Sequence, residues 1–88
     1  MTLKIEKSEQ GGFSIFALSG RLETEHISEL ERLFGPQAGY GKIIVDLKEL
    51  RLVDREAVRF LSRCEMRGVK VENCPAYIRE WMQREKNK

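Results

Sequence analysis

The residues best placed to do chemistry stand together just after an apolar pair, Leu52-Val53. Asp54, Arg55 and Glu56 open a segment in which Ala57, Val58, Leu61 and Cys64 recur at helical spacing. Asp54 is placed as the helix N-cap, its carboxylate accepting from the backbone N–H of Glu56 or Ala57. Glu56 falls in the first turn, where a negative charge meets the positive end of the helix dipole, an effect worth about 0.3–1 kcal/mol. Such a helix mouth recognises charge; it does not by itself break bonds.

Four arginines, Arg55, Arg59, Arg63 and Arg67, recur at every fourth position along the same segment. That spacing brings neighbours close on a helix, and like charges there oppose helix formation by about a few tenths of a kcal/mol per pair. The expected offset is ion pairing with Glu23, Glu25, Glu29 and Glu31 on the preceding helix. The other use of such a ridge is docking, either to an acidic partner or to the acidic helix of a second copy in a homodimer.

Other reactive groups are sparse. His26 is the single histidine and is expected at the helix surface. Cys64 and Cys74 are the two cysteines; their separation is not a zinc spacing, and two reduced, largely buried thiols are expected. No Ser–His or Cys–His pairing is suggested. Gly11-Gly12 and Gly39-Tyr40-Gly41 resemble turns, since no Gly-Lys-Ser/Thr follows either. No RNA-binding aromatic signature falls on a strand. The residues therefore predict no enzyme, no cofactor and no metal.

The elements that must hold these residues are legible in order. Leu3–Lys7 alternates apolar and charged residues as a half-exposed strand does. Gln10-Gly11-Gly12 signals a turn, Phe13–Leu18 reads as a more central strand, and Ser19-Gly20 closes this N-terminal hairpin. Glu23–Phe34 reads as a helix with Ile27, Leu30, Leu33 and Phe34 on one face, Thr24 as its N-cap and Gly35-Pro36 as its stop. Gln37–Gly41 is a loop. Lys42–Leu47 is a strand centred on Ile43-Ile44-Val45, ending near Asp46 and followed by a polar link. The helix from Arg55 to Met66 ends at Gly68, and Val69–Glu72 is a short strand. Asn73-Cys74-Pro75 starts a last helix with Tyr77, Ile78, Trp81 and Met82 as its apolar stripe. Arg79, Arg84, Lys86 and Lys88 make the C-terminus basic, and Arg84–Lys88 reads as a frayed tail.

This order predicts an α/β domain, a small mixed sheet of about four strands with three helices, in which each strand–helix–strand unit crosses right-handed and its strands are parallel. Eighty-eight residues make one domain, 1–88, with a small core. A formal net charge of +2 is too near balance to imply nucleic acid from totals. The charged start, Lys4, Glu6 and Lys7, is unlike a signal peptide, and no apolar run approaches a membrane span, so a cytoplasmic protein is expected.

The stretch from Lys42 to Leu61 also resembles the core of the STAS domain, the anti-sigma-factor antagonist family. The family pattern is an apolar strand ending in Asp, a link, an apolar pair, then Asp-Ser-Ser-Gly opening a helix. Asp46 matches the strand-end Asp and Asp54 the Asp before the serines, both as structural residues. Arg55, Glu56 and Ala57 stand where Ser, Ser and Gly would be. The resemblance implies a mixed sheet with an antiparallel first strand, and a further strand and helix that do not follow here, so the last helix is expected to lack part of its cover. It implies a non-enzymatic protein–protein module in bacterial signalling, whose partner is an anti-sigma factor or related kinase-like ATPase. The binding surface would centre on Val53–Val58, with Asp54, Arg55, Glu56, Arg59 and Arg63 as partner-binding residues. In signalling members the second Ser is phosphorylated, which brings about −1.5 to −2 charges to the helix mouth; Glu56 brings one charge permanently. Two alternatives remain: an accessory subunit of a lipid-transport ABC ATPase, and a polyanion or nucleic-acid binder using the arginine row.

Overall fold

Two glycines at positive φ, Gly11 at 58° and Gly12 at 85°, turn β1 (Leu3–Gln10) back on β2 (Phe13–Leu22). Both angles are ones that side-chain-bearing residues rarely adopt, which is why this tight hairpin turn is built from glycine. The computed structural model describes residues 3–34 and 40–86. After β2 the chain forms α1 (Thr24–Phe34), a 3-10 turn (Tyr40–Lys42), β3 (Ile43–Val53), α2 (Arg55–Met66), β4 (Lys70–Glu72) and α3 (Ala76–Lys86). The sheet order is β1-β2-β3-β4, with β1 antiparallel to β2 and both later pairs parallel. This is the mixed α/β sheet with three helices that the element order predicts. The predicted stop at Gly35-Pro36, most of the following loop and the last residues of the tail lie outside the described residues.

Among the described residues, the three helices cover one face of the sheet. Leu18 pairs with Ile5, Phe16 lies level with Val45, and Val45 with Val71, so these side chains share a face. Phe16, Leu18, Ile43, Val45 and Leu47 are buried there beneath Leu30 and Phe34 of α1, Ala57, Val58, Phe60 and Leu61 of α2, and Ile78 and Met82 of α3. Phe34 meets Phe16 edge-on at 4.9 Å and stacks with Phe60 at 6.1 Å, so one ring joins sheet, α1 and α2. The other face shows Ile15, Ala17 and Ile44, each only half-buried.

Both inner strands are longer than their sequence pattern implies. β2 does not close at Ser19-Gly20; it continues to Leu22, with Gly20 at φ 92° beside a register shift. β3 does not end near Asp46. The expected polar link is strand, because β3 carries an extra residue against Ala17/Ser19 and another against Gly20/Arg21. The bulges replace alternation by a spacing of three: Leu47, Leu50 and Val53 are buried, while Lys48-Glu49 and Arg51-Leu52 are exposed. Asp46 sits at the first of these irregularities. Its Oδ1 accepts from the Lys48 backbone N–H at 2.9 Å and from Asn73 Nδ2 at 3.1 Å, tying β3 to the end of β4.

α2 ends as its glycine predicts. Gly68, at φ 112°, donates to the Glu65 carbonyl, and Val69 donates to the Cys64 carbonyl at 3.0 Å. That pair of bonds is a Schellman motif. At α3, Pro75 stands just before the helix, its carbonyl accepting from Ile78 and Arg79. Arg84 and Glu85 belong to α3 and not to a frayed tail.

The spacing of three in β3 makes a sharp prediction for denaturant unfolding. Leu50→Ala, at a position 4% exposed, should cost about 2–5 kcal/mol. Leu52→Ala, at a position 45% exposed, should stay within about 0.5 kcal/mol of wild type. Equal costs would mean that β3 alternates and the bulges are wrong.

Candidate functional site

β2 and β3 finish side by side, and both helix starts follow at once. The Asp54 backbone N–H donates to the Leu22 carbonyl at 3.3 Å, closing the two strand ends together. Asp54 itself is extended, at φ −107° and ψ −179°, as an N-cap should be. Its Oδ1 accepts from the Ala57 backbone N–H at 2.9 Å, the second of the two donors offered by the sequence. Its Oδ2 does something the sequence did not announce. It accepts from the Thr24 backbone N–H at 2.8 Å and from the Thr24 hydroxyl at 2.9 Å. One carboxylate therefore serves the starts of both α1 and α2. Burial works against its charge, but the hydrogen bonds from Ala57 and Thr24 outweigh it and hold Asp54 below the usual aspartate range.

Thr24 is thus not the N-cap of α1. It is the first helical residue, and its hydroxyl donates across to Asp54. His26 takes part of the capping role: its Nδ1 accepts from the Glu23 backbone N–H at 3.1 Å. The expectation of a surface histidine is corrected by that bond, since only 18% of its side chain is exposed. Among the described residues, Glu23, Glu25 and His26 are the one grouping whose ligand atoms approach within 4.8 Å of one another. His26 Nδ1 is already committed to the backbone, and Glu25 lies 3.7 Å from Nε2, so ordinary helix-start contacts account for the cluster.

Arg55 and Glu56 are exposed at the mouth of α2, and Arg59 is half-exposed one turn on. Among the described residues, the Glu56 carboxylate accepts from no backbone amide and meets only the Arg59 guanidinium, at 3.4 Å. The arginine row divides between two neighbours. Arg55 and Arg59 turn to α3, where each places Nε against Glu85, at 3.3 and 3.2 Å. Arg63 and Arg67 turn to α1, lining with Glu31, Phe60 and Cys64 a hollow of about 70 Å³. The expected pairing with α1 is corrected for Arg55 and Arg59, whose counter-ion is Glu85 on α3: Glu25 lies against His26 and Glu29 against Arg32, while Glu31 stands beside Arg63 and Arg67. The cause is helix geometry. A step of four residues overshoots one turn by about 40°, so the row swings from one flank of α2 to the other.

Glu85 is the residue that sequence reasoning missed. Its side chain is 11% exposed, and besides both arginines it accepts from Trp81 Nε1 at 3.3 Å. Slight desolvation opposes its charge; the bond from Arg59, the charge of Arg55 and the bond from Trp81 outweigh this and lower its pKa. The available signal was Trp81 four residues before Glu85, placing both on one stripe of a helix. Tyr77, one turn earlier, is not core as the stripe predicts. It is 46% exposed, and its hydroxyl donates to the Arg51 carbonyl at 2.6 Å, on the β3 edge beyond the short β4. Arg79 pairs with Glu65 at 2.9 Å, so α3 is fastened to α2 at both ends. The thiols are free; Cys64 is buried, and that burial pushes it up to about 12, against the pull of Arg63 and Arg67.

Three outcomes follow. Asp54→Ala should cost about 1–3 kcal/mol in urea unfolding, because each lost cap costs about 0.5–2. Thr24→Ala should cost less, and little further once Asp54 is gone. The lowered Asp54 pKa adds a pH dependence. Its stabilisation is fully present above the unfolded aspartate value of about 3.9 and is lost as pH falls through the lower folded value; Asp54→Asn should remove that part of the acid sensitivity. Iodoacetamide should label half-buried Cys74 well before Cys64, and the reverse order would contradict the burial described.

No protein-family model matches this chain, and no curated protein does. Among solved structures, the chain is similar to an uncharacterised protein of the DUF3478 family with a SpoIIAA-like fold, from Shewanella loihica PV-4. The two share 15% identity over 98% of this chain and 78% of the other, with a TM-score of 0.48.

Proposed function

We propose that this chain is a non-enzymatic protein-interaction module of bacterial signalling, STAS-like, acting in the cytoplasm. Its partner docks at the mouth of α2, on Asp54, Arg55, Glu56, Arg59 and Arg63. Glu56 there holds a fixed negative charge at the position that resembles a phosphorylatable serine. The partner class that fits is an anti-sigma factor or related kinase-like ATPase.

The observation that carries this reading is the division of labour between two carboxylates. Asp54 already satisfies the backbone of both helix starts. Glu56 has half of its side chain in solvent, 49%, and among the described residues spends its charge only on Arg59. A charge that the fold does not use, on backbone that the fold holds firmly, is what a docking surface needs. No described helix is long and apolar enough to cross a membrane.

The test is capture from native lysate with the whole chain, followed by affinity measurements on the captured partner. Glu56→Gln and Glu56→Ser should each shift its Kd by about two- to fivefold, the size of one charge at a helix mouth. Identical affinities for all three proteins would end this reading. Capture of a nucleotide-binding ABC subunit, indifferent to Glu56, would favour the accessory-subunit alternative.

A further inference from the structure

Glu85 occupies the cationic side of the α2 mouth in an unusual way. One carboxylate is shared by two guanidinium groups, and both are met through Nε. The outer donors of the fork are left over. Arg59 spends one of them on Glu56 at 3.4 Å, and among the described residues Arg55 meets no acidic group but Glu85. Arg55 is 52% and Arg59 42% exposed, while Glu85 is 11% exposed. One turn further on, Arg63 is exposed, with no carboxylate within ion-pair distance among the described residues. Arg55 and Arg59 thus face Glu85 and Glu56 with guanidinium donors that these carboxylates leave open, while Arg63 turns to the α1 flank.

The surroundings suit a protein ligand. Tyr77, Trp81 and Glu85 form one stripe of α3, each four residues from the next. Tyr77 is half in solvent, Trp81 is half-buried, and Leu52, next to the carbonyl that Tyr77 grips, is 45% exposed. Arginine, tyrosine and tryptophan are the residue types that dominate protein interfaces. A guanidinium matches a carboxylate in bidentate geometry, whereas Arg59 donates to Glu85 through Nε alone and Arg55 forms only an ion pair with it, its Nε 3.3 Å away.

We propose that the α2–α3 surface takes an acidic segment of a protein partner, and that Glu85 is an internal stand-in for that segment. A carboxylate of the partner replaces Glu85 on Arg55 and Arg59 and engages the outer donors that Glu85 leaves open. When Glu85 is displaced, the Trp81 indole loses its acceptor. This rests on the reading of the α2 mouth as a docking surface and gives the partner its chemistry. A nucleic acid fits less well, because its phosphates repeat along the strand and call for a continuous row of cations, whereas here Glu56 interrupts the row and the formal net charge of the chain is only +2.

Trp81 is the single tryptophan and reports directly. The probe is a blocked hexaglutamate peptide, titrated at low salt into the full chain while Trp81 emission is followed. A saturable change that weakens with added salt is expected. Arg55→Gln should weaken binding by about two- to fivefold, and Glu85→Gln should tighten it by a similar factor, the range for one part-exposed ion pair. A residue that merely fastened α3 would give the opposite sign on removal, since loosening the site weakens binding. Far-UV circular dichroism checks that each variant is folded. If Glu85→Gln unfolds the chain, Glu85→Asp, which shortens the reach to the arginines, should tighten binding instead.

No saturable response in wild type or in the Glu85 variants overturns the proposal. So does a Glu85 variant that binds no tighter than wild type, or a single-stranded oligonucleotide of equal charge that binds better than the peptide. The two readings fail separately. Native-partner affinity that responds to Glu56 but not to Glu85 removes the acidic stand-in alone, whereas affinity indifferent to Glu56, Arg55 and Arg59 removes the docking surface itself.

Discussion

The carboxylate of Asp54 is the constraint on which the arrangement depends. Two helices begin beside it, and each begins with backbone N–H groups that have no partner within the helix. One oxygen serves α2 through Ala57, and the other serves α1 through Thr24. The positive ends of two helix dipoles meet at one anion, which stabilises both. The backbone of Asp54 meanwhile pins the end of β3 to Leu22 at the end of β2. Strand ends, helix starts and charge are thus set by a single residue, so α1 and α2 begin at a common level on the covered face of the sheet.

That convergence explains why β3 carries two bulges. β2 has ten residues and β3 eleven, and the two run parallel from Ser14/Ile43 to Leu22/Val53. Between those pairs β3 spends two more residues than β2. The surplus is taken up as exposed pairs, Lys48-Glu49 and Arg51-Leu52, while Leu47, Leu50 and Val53 keep the core continuous. Asp46 then accepts the Lys48 amide, so the first irregularity leaves that donor satisfied.

Much of this was legible because local signals agree with the fold. Gly11-Gly12, the cap at Asp54, the buried set Ala57, Val58, Leu61 and Cys64, and the stop at Gly68 are decided by neighbours within one turn of chain. What stayed hidden depends on partners far away in sequence. The bulges broke the period of two on which strand reading relies, so Lys48–Arg51 read as a polar link between the strand and the apolar pair Leu52-Val53. Thr24 looks like an N-cap by type, yet its hydroxyl bonds to a residue thirty positions on. Tyr77 matches a core stripe by spacing, but a hydroxyl and a nearby free carbonyl keep it at the rim. Glu85 looked like tail because its two arginines lie on another helix. Charge pairing between helices has no periodicity of its own, and only the packing of α3 beside α2 reveals it.

Side chains at a capped helix start stand on backbone that is already ordered. Binding costs conformational freedom in proportion to what must be ordered. Here the backbone beneath Arg55 and Glu56 is already held by Asp54, and α3 is fastened to α2 by Glu65–Arg79 at one end and by Glu85 at the other. The side chains that reach solvent there are those of Arg55, Arg59 and Glu56, whereas Glu85 beneath them is 11% exposed. The exposed Arg59–Glu56 pair is worth little to stability, about 0–1 kcal/mol. The groups that hold the fold and the groups that face outward are adjacent in sequence, Asp54 beside Arg55 and Glu56, but they answer to different demands. Because Asp54 alone caps both helix starts, the charge at Glu56 can be altered while the two helices above the sheet stay in place.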